Sequence, residues 1–188
     1  MDVVTIDSVG RVRLEQGVVS VDWPHKDKPC REPIRWPSII VGASGILGAA
    51  LHRRIGGIGM RRGDYDLKGD PIALPGADLI YIVASKTKFR DCELDEDAWA
   101  VNVDGPMKLA HRFKDSFIVY ISSEAAEWSG RTAYGDQKRY AELGLRTVVP
   151  YENLCIVRPK KLTPVRIELL CEFLERVGRE RLCGIHRF

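Results

Sequence analysis

The stretch Ser38-Ile39-Ile40-Val41-Gly42-Ala43-Ser44-Gly45-Ile46-Leu47-Gly48 decides how this chain folds. Its opening is a short apolar run that stops at glycine. Apolar residues then recur at helical spacing through Leu47, Ala50 and Leu51 towards Ile55, which predicts strand, turn and helix in succession. Three glycines spaced G-x-x-G-x-x-G at such a junction have separate uses. Gly42 permits a tight turn, Gly45 lets backbone approach a ligand with no Cβ in the way, and Gly48 lets the helix pack closely on the strand. Unpaired N–H groups at the helix start, reinforced by the dipole, favour negative charge. Gly42, Ser44, Gly45, Ile46, Leu47 and Gly48 are therefore the expected cradle of a dinucleotide pyrophosphate. In isolation such a run reads equally well as a packing turn, and its place directly after Ile39-Ile40-Val41 is what favours phosphate.

Downstream, Leu79-Ile80-Tyr81-Ile82-Val83, Phe117-Ile118-Val119-Tyr120-Ile121 and Leu154-Cys155-Ile156-Val157 are continuous apolar runs, the pattern of strands covered on both faces. Helical stretches lie between them, around 95–113 and 133–146, and a last helix is expected from about Pro164 to Val177. The alternation predicts an α/β domain over residues 38–188, a Rossmann-like, doubly wound parallel sheet. Upstream the pattern differs. Residues 3–23 alternate apolar with polar, broken at Val9-Gly10 and Gln16-Gly17, which predicts a small antiparallel β-meander. Pro24 to Pro37, flanked by Trp23 and Trp36, reads as an ordered connector, so residues 1–37 form a separate prefix.

Composition limits the partners. At 188 residues and 45% hydrophobic the chain supports one sizeable core. Lys and Arg total 29 against 26 Asp and Glu, and a net charge of +3 demands neither nucleic acid nor a membrane surface. A small-molecule partner fits better. The five cysteines are scattered, with no C-x-x-C pair, and His25, His52, His111 and His186 share no metal-ligand spacing. With no leader-like N-terminus and no stretch near the roughly 18 apolar residues of a membrane span, the expectation is a cytoplasmic protein with reduced thiols and no metal. The acidic run Asp91 to Asp97 reads as capping of a helix start, and the arginines after Arg176 as a solvated helix end. Trp99 and Trp128 are each compatible with core, rim or substrate platform.

Two further groups bear on chemistry. Arg61-Arg62 follow the predicted second strand Ile58-Gly59-Met60, where arginine accepts a 2′-phosphate and an acid bonds a ribose hydroxyl. They favour NADP, while Asp64 or Asp66 taking the ribose would give NAD. Tyr134 and Lys138 stand four apart, which on a helix puts them on one face. A phenol of pKa about 10 is a poor acid–base catalyst at neutral pH, and a neighbouring ammonium favours its ionised form. Ser123, just past the Phe117–Ile121 strand, is placed to hold a substrate oxygen, with Ser122 as the alternative.

Together, Gly42 to Gly48, Asp78 to Ser85, Val101-Asn102-Val103-Asp104-Gly105, Tyr120 to Ser123, Tyr134 to Lys138 and Ile156-Val157-Arg158-Pro159 resemble the extended short-chain dehydrogenases. More narrowly they resemble the nucleotide-sugar epimerase/dehydratase group and the related dTDP-4-dehydrorhamnose reductases. The resemblance implies a bound NAD(P), Ser123 as substrate-oxygen binder, Tyr134 as acid/base, and Lys138 contacting the nicotinamide ribose while tuning Tyr134. It gives Asn102 a role in backbone geometry and in holding a proton-relay water, and sets Ala84-Ser85 beside the cofactor ribose. The implied activity is hydride transfer by a reductase or epimerase, on a nucleotide sugar or a small carbonyl compound. The alternative is a non-catalytic NAD(P)-binding sensor or assembly module. The chain also departs from the pattern. About ten residues join Asp66 to Asp78, too few for a full crossover helix, and fewer than thirty follow Pro159, where relatives carry a substrate domain. A homodimer is one way to close the pocket.

Overall fold

The computed structural model describes residues 2–6, 12–16, 37–128 and 130–188. Strands β1 (Asp2–Ile6) and β2 (Val12–Gln16) pair antiparallel, with Val4 opposite Leu14. The third strand expected near residue 20, and the connector with Trp23 and Trp36, lie outside the described residues. In the main domain β3 (Ser38–Val41), α1 (Ile46–Ile55) and β4 (Ile58–Met60) follow in order. Then come a 3-10 turn at Pro71–Ala73, β5 (Leu79–Ile82) and α2 (Phe89–Leu94). Helix α3 (Asp97–Trp99) runs through a π-helical segment, Ala100–Asp104, into α4 (Gly105–Arg112). The chain continues with β6 (Phe117–Ile121), a 3-10 turn at Glu124–Glu127, α5 (Ala133–Val148) and a further 3-10 turn at Tyr151–Asn153. It closes with β7 (Leu154–Arg158), α6 (Pro164–Glu180) and β8 (Gly184–Arg187).

Among the described residues the main sheet has six strands, all parallel, in the order β4-β3-β5-β6-β7-β8. Every residue of β5, β6 and β7 is buried, as their unbroken apolar runs require. Strand alternation then divides the core. Ile39, Ile80, Ile118, Tyr120 and Ile156 pack with Leu109 and Ala110 of α4 and Ala141 and Leu145 of α5. Ile40, Tyr81, Phe117, Val119 and Val157 pack on the other face with Leu47 and Leu51 of α1 and Leu170 and Leu174 of α6. Each fully buried aliphatic side chain contributes about 1.5–3 kcal/mol, so both helical layers are anchored independently.

The chain winds outward from β3 to β4, then crosses back to lay β5 on the other side of β3. That reversal is a topological switch point, and in such sheets ligands bind beyond the carboxyl ends of the two strands flanking it. The crossover from β4 to β5 is shortened, as expected. Its only regular element is the turn Pro71–Ala73, with Tyr65, Leu67, Leu74 and Ala77 buried beneath it. The sequence reading stopped at the last helix, whereas β8 adds a sixth strand paired in register from Cys155↔Gly184 to Arg158↔Arg187. No helix among the described residues is long and apolar enough to cross a membrane.

Candidate active site

The glycine turn is built as its spacing predicts. Gly42 has a φ of +100°, open to glycine and strained for other residues. A Cβ on Gly48 would lie 2.1 Å from the Gly42 carbonyl oxygen, so close helix–turn packing demands glycine there. Backbone bonds fix the turn between its neighbours: Gly42 N and Ala43 N donate to Met60 O at 2.9 and 3.0 Å, and Ala84 N donates to Val41 O at 2.9 Å. At Gly45, the N-cap of α1, a Cβ would meet no protein atom closer than the Gly42 oxygen, at 3.4 Å. Protein packing leaves that space open. The first turn of α1 carries no carboxylate, and Ile46 is 80% exposed, leaving the positive helix end uncompensated.

A cleft of about 1050 Å³ follows the carboxyl edge of the sheet. Its lining tracks the strand order. Arg62, Tyr65, Asp66 and Leu67 stand after β4, and Gly42, Ser44, Gly45, Ile46, Leu47 and Gly48 after β3. Ala84 and Ser85 follow β5, Ser123 and Trp128 follow β6, and Lys160, Lys161 and Leu162 follow β7, with Tyr134 and Lys138 supplied by α5. Arg61 is outside the lining. Its N–H donates to Asp64 Oδ2 at 2.9 Å, which occupies that carboxylate in the turn. Asp66 does line the cleft, with Oδ1 accepting from Lys68 N at 3.0 Å. Arg62 and Asp66 therefore both line the end of the cleft beyond β4.

The other end carries the titratable groups. Thr132 caps α5 by accepting from Gly135 N at 3.0 Å, which sets Tyr134 in the first turn, beside the cleft and 8% exposed. Tyr134 shares the cleft lining with Ser123 and Ser85, and the Phe89 ring packs 5.7 Å away. Burial raises the phenol above its ordinary value, and the nearby Ser123 and Ser85 hydroxyls pull against that rise. Lys138 is 1% exposed, with Nζ donating to Ile121 O at 2.9 Å and lying 4.8 Å from the Tyr120 ring and 5.9 Å from the Tyr134 ring. Burial pushes its amine down to about 7, against the opposing field of Glu142. Spacing alone predicted an ammonium that lowers the tyrosine. In the structure desolvation disfavours both charged forms in the same pocket, and the phenol stays high.

Ser123 caps the Glu124–Glu127 turn, accepting from Ala125 N at 3.2 Å, and faces the cleft. Ser122 also lines the cleft, and its hydroxyl donates to Glu142 Oε1 at 2.5 Å. Asn102 is buried behind the cleft wall in the π-helical segment. Its Oδ1 accepts from Ser85 Oγ at 2.9 Å and Lys86 N at 2.8 Å, while its Nδ2 donates to Lys86 O at 3.0 Å and Gln137 Oε1 at 2.7 Å. It thereby joins the end of β5 to α5, and π-helical turns are frequent where a helix serves such a site. Trp128 is a rim residue with the Arg131 guanidinium 5.6 Å from its ring, and Trp99 packs at 5.4 Å against Tyr140, both rings partly exposed.

No family model and no curated protein matches the sequence. Solved structures do share its fold. A dTDP-4-dehydrorhamnose reductase from Bacillus anthracis, solved with NADP, superposes with a TM-score of 0.71 at 17% identity, covering 84% of this chain and 76% of that one. The chain has the fold of that reductase. The corresponding protein from Clostridium acetobutylicum gives a TM-score of 0.70 at 18% identity, over 80% of this chain and 73% of its own. The Bordetella bronchiseptica enzyme WbmG, solved with NAD and UDP, gives 0.52 at 15% identity, over 70% of this chain and 54% of its own.

Proposed function

We propose that the chain is an NAD(P)-dependent oxidoreductase or epimerase of the short-chain dehydrogenase type. The observation that carries this reading is the gathering of Ser123, Ser85, Tyr134 and Lys138 in the same cleft as the glycine turn. The residues present fit a dinucleotide. The space at Gly45 and the uncompensated start of α1 suit a pyrophosphate, and Ala84, Ser85 and Lys138 line the stretch that a nicotinamide ribose would occupy. Bound there, the cofactor supplies the hydride donor or acceptor. Ser123 holds the substrate oxygen, Tyr134 moves the proton on that oxygen, and Lys138 supplies the positive field that makes the proton movable. Asn102 acts through Ser85 and Gln137 as a positioning residue, and the relay water the family resemblance implies stands beside it in this reading. Arg62 favours a 2′-phosphate and hence NADP. Asp66 on the same wall is the feature that would select NAD.

The substrate occupies the end of the cleft lined by Trp128, Lys160, Lys161 and Leu162. A nucleotide sugar or a small carbonyl compound suits it, and a neighbour solved with UDP supports the former. A homodimer in the cytoplasm is the setting we infer, with buried thiols such as Cys92 and Cys155 kept reduced. A non-catalytic NAD(P) sensor is the second reading, favoured by the burial and raised pKa of Tyr134. The test is a fluorescence titration with NADPH and NADH against a Gly45→Asp control, then a carbonyl-substrate screen with Tyr134→Phe. Saturable binding that the control lacks, with turnover lost in Tyr134→Phe, is the expected result. Absence of cofactor binding by folded protein refutes both readings, and binding without turnover leaves the sensor.

A further inference from the structure

Lys138 belongs to a cluster of buried ions that extends behind the cleft wall, and the proposed reaction leaves the other members unused. Lys138 and Glu142 stand one helical turn apart on the same face of α5, and Glu142 is 2% exposed. A single dipeptide at the end of β6 holds both, since Ile121 O accepts from Lys138 and the Ser122 hydroxyl donates to Glu142. From β7, Arg158 grips the same carboxylate in a fork, Nε to Oε1 at 2.9 Å and Nη2 to Oε2 at 2.6 Å. Its remaining nitrogen reaches Glu127 Oε1 at 3.3 Å, which Arg187 of β8 also meets, at 2.6 Å.

We propose that Glu142, clamped by Ser122 and Arg158, is a positioning residue that holds Lys138 in its cationic form. The groups facing Lys138 are Tyr134 and Glu142 on its own helix, Tyr120 on β6 and Cys92 on α2. Burial drives the phenols of Tyr120 and Tyr134 and the thiol of Cys92 upward, towards their neutral forms. Glu142 is thus the one carboxylate among these neighbours, and it opposes the desolvation that pulls the Lys138 amine down. With its fork to Arg158 in place, Glu142 still acts on Lys138 against desolvation. Lys138, Arg158 and Arg187 share two carboxylates, and removal of Glu142 leaves the two buried cations with Glu127 alone, which Arg187 already holds. The consequence for catalysis rests on the reading above, in which a charged Lys138 makes the Tyr134 proton movable.

The experiment follows Lys138 itself, with neither cofactor nor substrate. The full chain is labelled with ¹³Cε-lysine, the Lys138 resonance is assigned by its loss in Lys138→Met, and its titration midpoint is read by NMR. Glu142→Gln is expected to lower the midpoint by one unit or more, at least a tenfold loss of proton affinity. Arg158→Met removes the guanidinium that forks onto Glu142, and is expected to raise it. Shifts of opposite sign separate the proposal from simple loosening. Admitted water would carry both variants upward, towards the ordinary lysine value of about 10.4. An upward or absent shift in Glu142→Gln therefore overturns the proposal. Where Glu142→Gln does not fold, Glu142→Asp draws the carboxylate back by one methylene. A smaller fall is then expected, and a rise or no change overturns the proposal equally. Failure of the cofactor titration would sink the enzyme reading without touching this result.

Discussion

Replacing Lys138 by methionine should stabilise the protein in a pH-dependent way. The amine is fully buried, and its pKa falls from 10.5 to about 7 on folding. A folded state that binds the proton more weakly than the unfolded chain loses stability wherever the unfolded lysine is charged. The penalty is complete below about pH 7, shrinks as pH rises from 7 towards 10.5, and is gone above that. Three and a half units at about 1.4 kcal/mol each set an upper value near 5 kcal/mol. From pH 6 to pH 9 linkage removes about 2.5 kcal/mol of it. Methionine keeps most of the apolar stem and carries no charge, so Lys138→Met should unfold at higher urea at pH 6. Its advantage over the wild type should shrink by about 2.5 kcal/mol when the comparison is repeated at pH 9. Differencing the two proteins cancels the other titrating groups. An advantage that is constant with pH, or that grows towards pH 9, would refute the claim that burial depresses this amine.

Two glycine variants should divide stability from binding. Gly48→Ala places a methyl against the Gly42 carbonyl and should cost roughly 1–3 kcal/mol in thermal or urea unfolding. At Gly45 an added Cβ meets no protein atom inside 3.4 Å, so the unfolding midpoint of Gly45→Asp should stay close to wild type while NADPH fluorescence binding is lost. Arg62→Ala should weaken NADPH about tenfold and leave NADH nearly unchanged, and Asp66→Asn should do the reverse if that carboxylate takes the ribose; equal losses for both cofactors would remove Arg62 from the specificity argument. Trp128→Ala should raise KM for the accepted substrate with cofactor affinity intact, whereas a parallel loss of cofactor affinity would move Trp128 out of the substrate end.

The fold was legible where local pattern and burial agree. Unbroken runs such as Phe117–Ile121 can serve only as two-sided strands, and the glycine turn announced both its geometry and its neighbours. β8 escaped because Gly184-Ile185-His186-Arg187 is too short and mixed to carry a period, and its pairing with β7 is set by register across the sheet. In the site, chain order was enough to bring Ser123, Tyr134 and Lys138 to one cleft, and to set Arg62 but not Arg61 on its wall required coordinates. Spacing conveyed that Tyr134 and Lys138 are neighbours and was silent on desolvation, which reverses the expected effect on the phenol. Glu142 and Arg158 were invisible as a pair. They are 16 positions apart on different elements, and a lone acid on an amphipathic helix reads as solvated.

The late position of β8 in the chain bears on how the protein is made. Strand β7 gains its outer partner only when Gly184 to Arg187 have been synthesised, and Phe188 completes the seam by donating to Arg158 O at 3.1 Å and accepting from Lys160 N at 2.9 Å. A nascent chain that has reached α6 but not β8 therefore carries a largely apolar, unpaired strand edge beside an otherwise folded sheet, the kind of edge that recruits strands from other molecules. Shortened versions that stop before Gly184 belong among aggregating species rather than among merely inactive ones.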